Sequence, residues 1–185
     1  MIAPRTIPVA PAAAARAAAL EAAVPVLQTP RAVLRAPRLT DYDALHSITG
    51  SARAEFEGGP STEAESWSDF CGMTATWLLR GHGMWTMEAG GHVAGFILIG
   101  TEPGDREHEL GWLLCAPFEG MGLAHEGARA ARDFARETLA LPSLVSYIAP
   151  GNARSERLAR RLGARPDGTL LDGQITVWRH WGTTA

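Results

Sequence analysis

Apolar positions recur in two periods along this chain, every second residue in short runs and every third or fourth in longer ones. RAVLRAPR (31–38) reads as a first strand. Leu39-Thr40 then opens a helix, with Thr40 as N-cap and Asp41 and Asp43 in the first turn. Gly-Gly-Pro at 58–60 is a turn. A second helix starts at Ser61 or Thr62, where Thr62 and Glu65 have capping-box spacing. Trp67, Phe70, Cys71, Thr74 and Trp77 mark its apolar face, and Gly81 or Gly83 ends it.

Three strands follow: GMWTMEAG and HVAGFILIG, joined as a hairpin through AGG, and then HELGWLLCA after the loop TEPGDRE. A helix over 124–139 buries Ala128, Ala131, Ala135 and Leu139 and exposes Arg129, Arg132 and Arg136. Pro142 breaks that pattern, and SLVSYIA is a further strand. PGNARSERLARRLG gives a turn, a short helix and a stop at Gly163, and two strands near 169–171 and 175–181 close the chain. The order predicts a mixed α/β sheet.

Residues 1–26, nearly all Ala, Pro and Val, form a separate extension, with a short helix expected over 12–23. It reads either as a variable extension or as a helix docked on a partner subunit, which would make a homodimer. Arg16 and Glu21 interrupt it too early for a signal peptide. The domain proper is 27–185.

Composition narrows the classes. A chain of 185 residues with 46% hydrophobic content supports one domain with a real core. Net charge is −3, which leaves no basic footprint for nucleic acid. All 17 basic residues are arginine, so there is no Schiff-base lysine and no P-loop lysine. Cys71 and Cys115 have no metal-ligand spacing, no metal is expected, and so few cysteines fit a reducing, cytoplasmic location. No apolar run reaches the roughly 18–20 residues of a membrane span.

Candidate chemistry centres on FEGMGLAHEG, a glycine turn between a strand and a helix. The helix N-terminus offers unpaired N–H groups, and Gly120 and Gly122 let several converge, which suits a phosphate or pyrophosphate. The same pattern also makes an ordinary tight turn. A dinucleotide fingerprint fits poorly, because His125 stands where a small residue is needed and Glu137 lies in the same helix.

ELGWLLCAPFEGMGLAHEGARAA resembles the core motif of the GCN5-related N-acetyltransferases (GNAT), and more closely the branch of the ribosomal-protein N-terminal acetyltransferases. LQTPRAVLRAPRLTDYDAL resembles that branch's opening strand and helix, with Ala32 for the usual leucine; FEGGPSTEAESW resembles its helix connection. GNARSERLARRLGA resembles its late Asn-x-x-Ser helix, with Ala164 for the usual aromatic. The resemblance spans roughly 27–182. It implies a mostly antiparallel central sheet of about seven strands with a splayed central pair and about four flanking helices. It also implies acetyl-CoA as cosubstrate, its pyrophosphate on the amides of Glu119, Gly120, Met121, Gly122, Leu123, Ala124 and His125. The pantetheine arm would lie along Leu113 and Leu114 in the gap between strands 109–115 and 143–149, with Asn152 helping to hold it.

Acetyl transfer to an amine needs a base, a donor for the oxyanion and, optionally, a proton for the thiolate. The resemblance places an acid at Glu109, the candidate base; a salt-bridged or solvated strand-end glutamate is the alternative. His108 falls on the other face by strand alternation. A backbone N–H near Leu113–Leu114 is the oxyanion donor. The tyrosine that many family members carry in the late helix corresponds to Ala159, leaving Ser155, then Tyr147, as proton donors. Cys115 reads as a small buried hydrophobe rather than a nucleophile. Asp41, Asp43, Glu55, Glu57, Glu63, Glu65 and Asp69 face only Arg53 in that stretch and make either an acidic wall for a cationic amine or solvated helix faces. Arg129, Arg132, Arg157 and Arg160 are candidates for the 3′-phosphate, and otherwise surface residues. The expected function is acetyl-CoA-dependent N-acetyl transfer to a protein N-terminus or small cationic amine in a direct ternary complex. The alternative on this scaffold is a non-catalytic acyl-CoA sensor or interaction module.

Overall fold

The computed structural model describes residues 4–183; the outermost residues of the expected extension and domain, 1–3 and 184–185, lie outside them. Among the described residues, eight strands form one sheet: β1 (Leu27–Gln28), β2 (Val33–Arg35), β3 (Met84–Ala89), β4 (His92–Gly100), β5 (Glu109–Leu114), β6 (Leu144–Ile148), β7 (Arg165–Leu170) and β8 (Ile175–Trp181). Their order across the sheet is β1-β2-β3-β4-β5-β6-β8-β7. All neighbours are antiparallel except β5 and β6. The helices are α1 (Pro11–Glu21), α2 (Tyr42–Thr49), α3 (Glu63–Arg80), α4 (Leu123–Glu137) and α5 (Ala153–Arg161). The mixed sheet stands as expected, with one strand and one helix more than the approximate counts. The added strand, β1, has two residues, too few to show a period.

Local chemistry sets the element ends. Thr62 and Glu65 cap α3 reciprocally, and Gly81 ends it in the left-handed conformation. The cap expected at Thr40 is absent. A 3-10 turn occupies Leu39–Asp41, and the Asp41 carboxylate accepts the Arg38 N–H at 2.8 Å while it binds Arg35 and Thr86. Cys71 is exposed, and Met73 joins Trp67 and Phe70 against the core. The α4 face bears out Ala128, Ala131 and Ala135, which are fully buried with Leu123, whereas Leu139 lies past the helix end.

Two apolar clusters sandwich the sheet. Trp85, Ile97, Ile99 and Leu110 pack under α4, and Tyr42 and Leu45 of α2 and Phe70 of α3 pack with Phe96 of β4. Fully burying such side chains contributes roughly 1.5–3 kcal/mol each. The N-terminal segment is tied to this body. Val24 packs on the first cluster, Trp85 Nε1 donates to Pro25 O at 2.8 Å, and Arg5 pairs with Asp43 and Glu63, whereas α1 itself buries no residue.

Candidate active site

The parallel pair β5–β6 registers at a single position, Glu109 opposite Val145. Val145 N–H donates to His108 O at 3.0 Å, and beyond that point the strands part. Strand alternation decides which β5 groups face the gap. His108 O reaches Val145, Leu110 O accepts from Ser146 Oγ, and Leu114 O accepts from Arg53, whereas Cys115 N–H donates back to Ala94 on β4. The backbone groups of Trp112 and Leu114 therefore face the split, and those of Leu113 face β4. A bulge at Ala94, where Met87 pairs Gly95 and Glu88 pairs Val93, shapes β4 here. Gly95 allows it, since a Cβ there would collide with Leu113 O.

At the open end, the chain turns through Gly120 (φ 73°) and Gly122 (φ 81°) into α4, with Gly122 as N-cap. The amides of Glu119 and His125 are engaged, donating to Ala116 O and Gly122 O at 3.3 and 3.1 Å. Among the described residues, the N–H groups of Gly120, Met121, Gly122, Leu123 and Ala124 have no partner. The turn is braced from outside: Arg31 Nη2 donates to Met121 O at 2.8 Å, and Arg31 Nε donates to Glu126 at 2.7 Å. Since the C=O and N–H of one peptide point in opposite directions, that brace aims the Gly122 N–H inward.

A cleft of about 400 Å³ joins turn and split. Of the expected residues, it is lined by Leu113, Leu114, Glu119, Gly120, Gly122, Leu123, Ala124, His125, Asn152 and Ser155. Met121 does not line it; its side chain is exposed. Asn152 caps α5, its Oδ1 accepting the Ser155 N–H at 3.2 Å. Trp112 Nε1 donates to Ser155 Oγ at 3.2 Å, so the serine proton remains free.

Glu109 stands at the closed end, outside the cleft lining, and its Oε1 accepts the Tyr147 N–H at 3.3 Å. Burial pushes its carboxyl up to about 8; the Tyr147 bond opposes this, and Asp105, Glu102 and Glu57 add to it. Tyr147 is not brought to the cleft. Burial raises its phenol, and the backbone amides of Glu107 and Arg106 approach its oxygen. Burial lowers His108, which packs edge-on against His82 at 5.1 Å. Cys115 is buried and its thiol is raised by that burial, which keeps it protonated. Ala159 is wholly buried beside Trp178. Among the described residues, no group of His, Cys, Asp or Glu could hold a metal and no helix is long and apolar enough to cross a membrane.

The acidic stretch divides by partner. Asp41, Asp43, Glu63 and Glu65 are committed to ion pairs or caps, whereas Glu57 acts on Glu109, joined there by Glu102 and Asp105. The arginines also sort. Arg157 lines the cleft, while Arg129 pairs with Asp133, Arg132 donates to Leu162 O and Arg160 lies over Trp178. Sequence reading missed Arg154 and Arg161, although 154, 157 and 161 are spaced i, i+3, i+7 on one helix face. Arg53, from a 3-10 turn between α2 and α3, is the other arrival, and no local pattern announces it.

A family model described as acetyltransferase (GNAT) domain matches residues 31–165. The crystal structure of the acetyltransferase from Agrobacterium tumefaciens str. C58 is 39% identical, with a TM-score of 0.80 over 84% of this chain and 94% of that one. Two further structures share the fold. The Salmonella typhimurium acetyl transferase that modifies the N-terminal serine of 50S ribosomal subunit protein L7/L12 is 20% identical (TM-score 0.65; 84% of this chain, 96% of that one). Mycobacterium smegmatis RimJ in complex with CoA-disulfide is 22% identical (TM-score 0.63; 84% of each chain). With a split strand pair, a free-amide turn and a match over most of its length, the chain belongs to the GNAT family of acetyltransferases and is an acyltransferase.

Proposed function

We propose that this enzyme transfers an acetyl group from acetyl-CoA to a primary amine, a protein N-terminus or a small cationic amine, directly within a ternary complex in the cytoplasm. The residues present suit that cosubstrate. Five unpaired amides at the N-terminus of a 15-residue helix match a diphosphate in charge and donor chemistry. Arg154, Arg157 and Arg161 line the same cleft and suit a further phosphate. Trp112 and Leu114 offer split-facing backbone groups to an amide-bearing arm, and the Asn152 amide nitrogen is free beside them.

Bound acetyl-CoA supplies an activated acyl thioester. Glu109 takes a proton from the acceptor ammonium, directly or through a water. Its raised carboxyl is suited to that task once a cation arrives, because a positive charge among Glu57, Glu102 and Asp105 relieves their repulsion and favours the ionised form. The Leu114 N–H faces the split, where negative charge builds on the thioester oxygen. The free Ser155 O–H can donate a hydrogen bond to the departing sulfur, which leaves as the thiolate of a thiol of pKa about 8.5 and takes its proton from solvent.

One observation carries this reading: free amides at the open end of a split strand pair that has a raised carboxyl at its closed end. The test is thiol release from acetyl-CoA across peptides with free N-termini, polyamines and amino sugars. Turnover is expected with cationic amines. Tight CoA binding without thiol release on any amine would overturn the assignment of the acceptor.

A further inference from the structure

The split between β5 and β6 is made by side chains. With Glu109 opposite Val145 and Val145 N–H bonded to His108 O, a continuing parallel ladder would next join Tyr147 N–H to Leu110 O. Neither group makes that bond. Ser146 Oγ donates to Leu110 O at 2.6 Å, and Tyr147 N–H donates to Glu109 Oε1 at 3.3 Å. One missing rung is thus replaced by two bonds from inserted side chains. We propose that Ser146, backed by His180, is a positioning residue: its hydroxyl occupies Leu110 O, holds the strands apart, and so leaves the Tyr147 N–H to fix the Glu109 carboxylate. The inference rests on the reading of Glu109 as the base.

The backing follows from hydrogen-bond arithmetic. Ser146 has one proton, and it goes to Leu110 O. The contact with His180 Nε2 at 3.1 Å must then run from the imidazole to the serine, which fixes the Nε2–H tautomer. Burial first, then Arg132 on α4, pushes His180 down to about 4, so the ring stays neutral and the arrangement holds at neutral pH. The tautomer leaves His180 Nδ1 as an acceptor, and that atom is buried without a partner. An orphaned buried acceptor is destabilising, and orienting Ser146 accounts for its presence. Ser146 is fully buried, and its hydroxyl is engaged on both sides, by Leu110 O and by His180 Nε2, so it acts through the strands it holds.

The groups facing Glu109 are Glu57 before α3, Glu102 and Asp105 from the β4–β5 loop, and Tyr147 on β6. The experiment follows the Tyr147 amide by nitrogen-15 NMR against pH in the whole protein. In the parent protein that amide shift should track a carboxyl titrating far above the usual range. In Ser146→Ala, Tyr147 N–H is expected to close onto Leu110 O. Its shift should then stop following the titration, its exchange should slow, and CoA should bind roughly tenfold more weakly because the split is shorter. Ser146→Thr keeps the hydroxyl and should restore the parent titration. A Tyr147 amide that titrates in folded Ser146→Ala as it does in the parent overturns the proposal. If Ser146→Ala does not fold, His180→Phe removes the orienting donor: a weakened Tyr147 response supports the proposal and an unchanged one overturns it. The NMR readout needs no turnover. Absence of thiol release therefore sinks the amine-transfer reading alone, while an unchanged amide in an active enzyme sinks this inference alone.

Discussion

Glu119 holds Arg53 against the open end of the split: Arg53 Nη2 donates to the Glu119 carboxylate and, at 3.1 Å, to Leu114 O. Arg154 Nη1 donates to the other Glu119 oxygen at 2.9 Å. The carboxylate stands where a phosphate would compete for the same two guanidinium groups. Glu119→Gln should release both and remove a repelling charge. CoA is then expected to bind roughly three- to tenfold more tightly, with a steeper loss of affinity on adding salt. Calorimetric titration at two ionic strengths checks this. Weaker binding would mean that the carboxylate organises the site instead of occupying it.

Glu109 gives the pH dependence. The proposed base must be ionised, and its carboxyl in the free enzyme is pushed up to about 8, so kcat/KM should rise with pH through that region and level off above it. Glu109→Gln should abolish this limb and reduce turnover by 10²-fold or more, within the usual range for a lost general base, about 10²–10⁴. CoA affinity should change little, because glutamine still accepts the Tyr147 N–H.

The same group makes a stability prediction of opposite sign. A carboxyl raised in the folded state opposes folding above its unfolded value near 4.5, and increasingly so up to its folded value. Glu109→Gln should therefore be more stable than the parent at pH 7, by about 1–2 kcal/mol once residual solvent access is allowed for, and no more stable at pH 4. Thermal unfolding at the two pH values decides it; a variant that loses stability at pH 7 would show that burial does not penalise this carboxylate.

What could be read from the chain depended on range. The Thr62–Glu65 cap and the Gly120–Gly122 turn are local, so spacing alone located them. Arg154, Arg157 and Arg161 were equally local, and their shared face was legible from helical spacing. Asp41 misled, because an acid in a first turn looks like a helix-dipole partner, whereas Arg35 and Thr86 claim it from two strands. Arg53 was out of reach. It meets Leu114 and Glu119 more than 60 residues on, and only the packing of α2 beneath the sheet brings them together. Which β5 amides face the split was undecidable too, since alternation fixes the parity only once one hydrogen bond is known.

Gly122 is the position where the glycine turn before α4 tolerates least. Its φ of 81° is strained for any residue with a Cβ, and a Cβ there would lie 3.2 Å from Arg31 Nη2, in the brace that aims the turn. Gly122→Val should cost roughly 1–3 kcal/mol in backbone strain. It should also weaken CoA by about tenfold or more, since Arg31 and Met121 O would part and the Gly122 N–H would lose its direction. Equal affinity for CoA in a folded variant would count against the turn as the diphosphate site.

The loop that leads into Glu109 is anchored from β8, across β6. Arg179 on β8 is nearly buried and binds Glu107 through both terminal nitrogens, at 2.7 and 2.6 Å, while its Nε donates to Asp167. The Arg179 bonds hold Glu107 below the usual carboxylate range. Removing one partner leaves a buried charge unpaired, so Arg179→Ala should destabilise the fold by roughly 3–5 kcal/mol. For a chain of this length, that is a fall of about 10 °C in thermal midpoint. A depressed folded pKa contributes stability that is present above the unfolded value and lost as pH falls through the folded one. The gap between parent and variant should therefore be full at pH 7 and shrink below about pH 4. Because Glu107 lies two residues before Glu109, the proposed base, kcat should fall as well, and a double variant with Glu107→Gln should recover much of the stability by neutralising the stranded carboxylate. An Arg179→Ala gap that stays constant down to pH 3 would assign the loss to packing instead of charge.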